Sequence, residues 1–195
     1  RILTTISNDI GEYSDSITSS LIAAVDLDLI ISKSKLSNEI KANTEIISDS
    51  FTFNNLTLIS SVHPLLEKNS KPLTLQLSQE HKVLVITGPN TGGKTVALKT
   101  VGLLAAMQQS GIHITGQPGT HIPIFDGIYA DIGDQQSIEG SVSTFSSHIE
   151  TLKTIIDVAT PQSLVLLDEI GSSTNPEEGA AIGSAILEYF AKENI

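Results

Sequence analysis

A chain of 195 residues with 39% apolar content has the length and composition for a core of its own, and a net charge of −11 (11 basic against 22 acidic side chains) gives it an average surface that repels bare nucleic acid. It has no cysteine, which excludes disulfides, thiolate metal sites and a thiol nucleophile and suits a cytoplasmic location. No stretch approaches the roughly 20 apolar residues of a membrane span, and the opening "RILTTISNDI" lacks the apolar core of a secretion signal.

Ile6, Ile10, Tyr13, Ile17, Leu21 and Val25 recur at steps of three and four, the spacing of one helix face. A long helix is expected from about residue 2 to 36, as a lever, as half of a coiled pair or as ordinary core packing. Residues 41–50 are polar and read as a linker. "FTFNNLTLIS" alternates on both sides of Asn54-Asn55, a hairpin signal. "SVHPLLEKNSKPLTLQL" offers a turn and a further strand. "KVLVITG" is apolar without alternation and reads as a buried strand of a parallel sheet. Residues 95–109 read as a helix and "DGIYADIG" as a short strand. In "SSHIETLKTIIDVA", Ile149, Leu152, Ile155, Ile156 and Ala159 line one helix face that Pro161 ends. "SLVLLDEIG" is a second buried strand and "EEGAAIGSAILEYFAKE" a final helix. Alternation of strands and helices after residue 80 implies an α/β fold, with a mostly parallel sheet flanked by crossover helices.

Residues 88–95 read G-P-N-T-G-G-K-T and match the phosphate-loop pattern G-x-x-x-x-G-K-[ST] in full. A strand expected before it and a helix after it supply the context that this motif needs. Gly88, Gly92 and Gly93 let the backbone turn tightly and aim its N–H groups inward, with Pro89, Asn90 and Thr91 between them. Lys94 is expected to reach the β- and γ-phosphates of ATP, Thr95 to ligate Mg²⁺, and Val96 to follow in the helix whose positive end favours anions. The second half of such a site is an acid at the end of a neighbouring buried strand, and "LVLLDE" provides it. Asp168 is expected to hold Mg²⁺ and Glu169 to polarise the attacking water. A glutamate directly after the magnesium aspartate is usual in ATPases that dimerise around nucleotide, and unusual in kinases and small GTPases.

"GPNTGGKT", "ADIGDQQSIEGSVSTFSSHIETL" and "LLDEIGSSTNPEEGAAIGSAILEYF" together resemble the ATPase domain of the MutS family. The D-I-G-D-x-Q-S-I-E and S-T-F-S-S-H phrases, and N-P-x-E-G after the acids, are closest to its second bacterial branch. "VHPLL" resembles the R-H-P-L-L that precedes that domain. The likeness is strong from about residue 58 onward and loose over the first forty residues. It implies a lever segment and linker over residues 1–45 and an ABC-like P-loop ATPase domain over residues 46–195. It further implies a homodimer with two nucleotides sandwiched between subunits. On this resemblance Ser143 and Thr144, before a helix expected to start near Phe145, face the partner's γ-phosphate in the role of an ABC signature. Gln135 and Gln136 sense the γ-phosphate or its Mg²⁺, although the family usually has Glu at the first of these. Residues 172–175 join one active site to the other, with Asn175 where Asp is usual. His63 lies at the expected adenine edge or simply fixes a turn. His148 is packed or solvent-facing, and His81, His113 and His121 suggest no metal site, since no carboxylate or second His lies at ligand spacing in the sequence.

In this family a further strand and a switch histidine follow the last helix, then a small nuclease domain, so the chain reads as a C-terminally incomplete fragment that binds ATP and hydrolyses it weakly. The parent is expected to act on branched or mismatched DNA, in recombination suppression, or on RNA at collided ribosomes. Three alternatives stand beside this motor. One is a module in which ATP closes a dimer with little turnover. Another is the ATPase of a mismatch-sensing MutS. The third, a chromosome-maintenance type head, calls for an L-S-G-G signature that does not occur here.

Overall fold

The computed structural model describes residues 2–43, 55–66, 70–89, 92–133, 141–171 and 175–195 (backbone only for 141–145). The chain divides into two compact units, Arg1–Lys41 and Ala42–Ile195.

The first unit is helical. Two helices, α1 (Ile2–Glu12) and α2 (Ser14–Glu39), stand where one long helix was expected, and they part at Tyr13. Gly11 explains the weak point, since glycine disfavours a helix by about 1 kcal/mol relative to alanine. The apolar stripe from Ile6 to Val25 is exposed along its whole length, so it is not buried in core packing among the described residues.

The second unit is mixed α/β. It contains β1 (Leu56–Ser61), β2 (Leu73–Leu77), α3 (Lys94–Gln109), β3 (Ile128–Asp131), α4 (Ser141–Val158), β4 (Leu164–Leu167) and α5 (Pro176–Glu193). β1 pairs antiparallel with β2, and Thr57 exchanges two backbone hydrogen bonds of 2.7 Å with His121 on its other side. β3 pairs parallel with β4 through the crossover helix α4, with Ile128 opposite Leu164 and Asp131 opposite Leu167. The described residues therefore form two small sheets rather than one mostly parallel sheet. The hairpin expected across Asn54-Asn55 lies partly outside the described residues, and the partner of β1 is β2.

β4 explains its own sequence. Leu164 and Leu166 face a core built with Leu58, Val101, Leu104, Ile114 and Ile122. Val165 and Leu167 face a second core built with Leu152, Ile155, Ile186 and Phe190. Helices cover both faces, so four consecutive apolar residues are all used and no alternation survives. At the start of the pair, the Asp126 carboxylate accepts from the hydroxyls of Thr160 and Ser163, which holds its pKa below the usual carboxylate value. These bonds join the approach to β3 to the approach to β4.

"KVLVITG" departs from expectation. Residues 81–87 form no strand. Lys82 is held by the carbonyls of Asn194 (2.6 Å) and Pro161 (3.4 Å), and Val83 packs on the second core. Beyond it Leu84 and Val85 are 47% and 57% exposed. The apolar run has the composition of a central strand, but among the described residues no ladder partner lies beside it, and pairing is what makes a strand. This gives a test. Leu166→Ala removes a buried side chain and should lower stability in urea unfolding by about 2–5 kcal/mol. Leu84→Ala should change it by less than about 1 kcal/mol; a loss as large as that of Leu166→Ala would restore the buried strand.

Candidate functional site

The phosphate-loop segment has the backbone that its glycines predict. Gly88 (φ 147°) and Gly93 (φ 82°) both lie at positive φ, where an L side chain is strained. No neighbour would meet a Cβ at either position, so the requirement is conformational and not one of space. Gly92 N–H bonds to the Pro89 carbonyl at 2.9 Å, and Gly93 leads directly into α3 at Lys94. Asn90 and Thr91 lie outside the described residues.

α3 then presents two side chains toward the strand ends. The Lys94 ammonium donates to the Gly88 carbonyl at 2.6 Å, which keeps its charge over the loop. The Thr95 hydroxyl donates to Asp168 Oδ2 at 2.6 Å. Val96 is exposed one position on, with its carbonyl accepting from Thr100. Asp168 directly follows β4, and its N–H bonds to the Asp131 carbonyl at 2.9 Å. Its hydrogen-bonded strand neighbour is thus β3, whereas the sequence suggested the strand leading into the phosphate loop.

Thr95 and Asp168 together offer hard oxygen donors of the kind that magnesium takes. No described cluster of three His, Cys, Asp or Glu could cage a metal alone. That combination fits an ion held by one carboxylate and one hydroxyl and completed by substrate phosphates.

Glu169 is exposed and adopts φ 49°, the left-handed region. For a residue with a side chain this strain is about 1–2 kcal/mol, and such strain gathers at functional positions. A tight contact just downstream holds it. Gly171 and Gly179 touch backbone to backbone: a Cβ on Gly179 would stand 2.2 Å from the Gly171 carbonyl oxygen. The glycine of the N-P-x-E-G phrase is therefore a packing requirement that brings the first turn of α5 against the loop after the acids. Asn175 caps that helix, its Oδ1 accepting from Glu177 N–H at 3.0 Å ahead of Pro176. Asparagine does this as well as the more usual aspartate. Residues 172–174 lie outside the described residues.

Other expected residues are placed less fully. α4 begins at Ser141, so Ser143 and Thr144 lie within its first turn and do not precede it as caps. Gly140 is the last helix breaker before Pro161, which explains the earlier start. Gln135 and Gln136 lie outside the described residues. His63 fixes a turn: its Nδ1 accepts from Leu65 N–H at 3.3 Å and its carbonyl from Leu66 N–H at 3.1 Å. Partial burial, then the nearby Lys99 charge, lower its pKa, which keeps that nitrogen free to accept.

A cleft opens beside the acids, lined by Asp131, His148, Asp168, Glu169, Gly171 and Ile182 among others. His148 Nδ1–H donates to Asp131 Oδ2 at 2.7 Å. No sequence pattern assigned this pair a role, because its members lie seventeen positions apart and only the β3–α4 crossover brings them together.

Comparison with known proteins places the chain among relatives of one family. The family described as MutS domain V matches residues 84–195. The chain is 50% identical over 188 residues to the Endonuclease MutS2 of Alkaliphilus oremlandii, covering 96% of the chain and 23% of that protein. It is 47% identical over 195 residues to that of Halothermothrix orenii, covering 100% and 24%. It is 43% identical over 189 residues to that of Lactobacillus gasseri, covering 96% and 24%. The chain thus spans about a quarter of the length of these relatives.

The glycine contact predicts opposite effects within one helix. Gly179→Ala should lower stability by about 1–3 kcal/mol, because the methyl group has backbone to displace. Gly183→Ala, whose added carbon meets Ile170 only at ordinary contact distance, should raise it by about 0.5–1 kcal/mol. Thermal unfolding of both variants checks this, and equal effects would contradict the contact.

Proposed function

Since the chain belongs to the MutS family through its ATPase domain, we propose that it binds and hydrolyses ATP with Mg²⁺ as the dimeric motor of a MutS2-type protein. The observation that supports this best is the 2.6 Å hydrogen bond between Thr95 and Asp168, which joins the helix after the glycine-rich loop to the acid after β4. Lys94 neutralises charge on the β- and γ-phosphates, and the N–H groups at the start of α3 add their positive end. Thr95 and Asp168 would hold the magnesium ion, which when bound offsets charge on the phosphates. Glu169 accepts a proton from the water whose oxygen bonds to the γ-phosphorus as the bond to ADP breaks. The first turn of α4, with Ser143 and Thr144, faces the γ-phosphate of the partner subunit, and Gln135 or Gln136 senses that phosphate. His63 lies at the adenine edge.

On this reading residues 46–195 form an ABC-like ATPase domain and residues 1–45 a lever segment with its linker. The protein works in the cytoplasm. No helix among the described residues is long and apolar enough to cross a membrane. The target is DNA with branches or mismatches, or RNA at the ribosome. The acidic balance of this chain puts that contact on other parts of the protein. The relatives' name adds a nuclease, also in the remaining three quarters of their length.

A second reading, a clip that ATP closes with little turnover, is favoured by Asn175, which lacks the charge of the usual aspartate. Turnover separates the two. In the full-length protein, Glu169→Gln should lower hydrolysis by about 100-fold or more while ATP binding persists, and Lys94→Ala should lose both. Wild-type protein that binds ATP without steady turnover would establish the clip. Turnover unchanged in both variants would overturn the motor.

A further inference from the structure

The Asp131–His148 pair does more than fill the cleft wall. Asp131 ends β3, and its backbone carbonyl holds the N–H of Asp168 at 2.9 Å. Its side chain holds His148 on α4 at 2.7 Å. Asp168 in turn accepts from Thr95 at 2.6 Å. Three hydrogen bonds thus run from the first turn of α3, across the ends of β4 and β3, to the second turn of α4. Both partners are half-buried at the cleft wall.

His148 lies on the same face of α4 as Leu152 and Ile155, one turn earlier. Those two bury against α5 and β4 side chains, and apolar contact of that kind has no preferred direction. A hydrogen bond at 2.7 Å has one. The pair therefore adds a directional constraint on the axial position and rotation of α4 to the packing of its apolar stripe. The start of α4 lies seven residues away, about 10 Å along the axis, and a rigid helix carries any shift to it.

We infer that Asp131 and His148 are positioning residues of the ATPase site, fixing the first turn of α4 relative to Asp168 and Glu169. This rests on the reading of that turn as the element offered to the partner's nucleotide. Neither residue touches substrate. Their loss leaves the phosphate loop intact and misplaces what closes over the second nucleotide.

The test uses full-length protein with three variants. In His148→Asn the amide nitrogen stands near the place of Nδ1, whereas His148→Ala and Asp131→Ala remove the bond. For His148→Ala, kcat should fall about tenfold or more, since misplacement by about 1 Å away from the chemistry can lose on the order of 100-fold. The Kd for ATP should stay within about twofold, and His148→Asn should recover most of kcat. The double Ala variant should be no slower than the worse single one. Unchanged kcat in His148→Ala overturns the inference, as does an ATP affinity that falls in step with kcat. If the Ala variants do not fold, a His148→Asn protein with kcat as low as Glu169→Gln overturns it as well. Wild-type protein without turnover overturns the ATPase reading beneath it, a result distinct from all of these.

Discussion

The hydrogen bond between Thr95 and Asp168 is the constraint around which the second unit is arranged. It joins the first turn of a helix to the end of a strand, two elements 73 residues apart in sequence. Both are fixed by one core. α3 is held by Leu104, Ala105 and Val101 in one core, and β4 contributes Leu164 and Leu166 to that same core. The polar contact at the top therefore comes from apolar packing beneath it. A carboxylate and a hydroxyl meeting in a half-buried place form a charge-assisted bond, stronger than a neutral one.

The strand between the two cores gives the site its second property. Because β4 is apolar on both faces, its polar continuation has to leave the sheet at once, and Asp168 and Glu169 do so in sequence. Glu169 takes a left-handed backbone to do it, and the Gly171–Gly179 contact brings α5 close enough to hold the turn. A strained acid beside a fixed one allows different duties for adjacent carboxylates. One stays with the hydroxyl of α3, while the other is exposed and accessible to water.

Much of this was legible in the sequence. The positive φ of Gly88 and Gly93 and the meeting of Thr95 with Asp168 fit a pattern readable in the sequence, which asks for those residue types at that spacing. The helices over α3, α4 and α5 were readable, α4 from its apolar period, and Pro161 marked a true stop. Other features were hidden for physical reasons. "KVLVITG" has the composition of a buried strand, but composition says nothing of who pairs with whom, and among the described residues Leu84 and Val85 are exposed without a ladder partner. The start of α4 was placed four residues late because Ser and Thr suit both a cap and a first turn. The stripe of α1 and α2 follows helical spacing, yet spacing does not say whether a partner covers it. His148 looked idle because its partner is distant in sequence. The glycine of N-P-x-E-G matched a pattern, but only the backbone contact gives the reason for it.

The most direct test of the account is calorimetric titration of ATP into the protein with and without magnesium, for the wild type and for Asp168→Asn. If Thr95 and Asp168 form the metal-holding half of a nucleotide site, magnesium should tighten ATP binding in the wild type, and Asp168→Asn should lose that tightening while still binding nucleotide through the loop. Equal affinities with and without magnesium in the wild type, or an undiminished magnesium effect in Asp168→Asn, would contradict it.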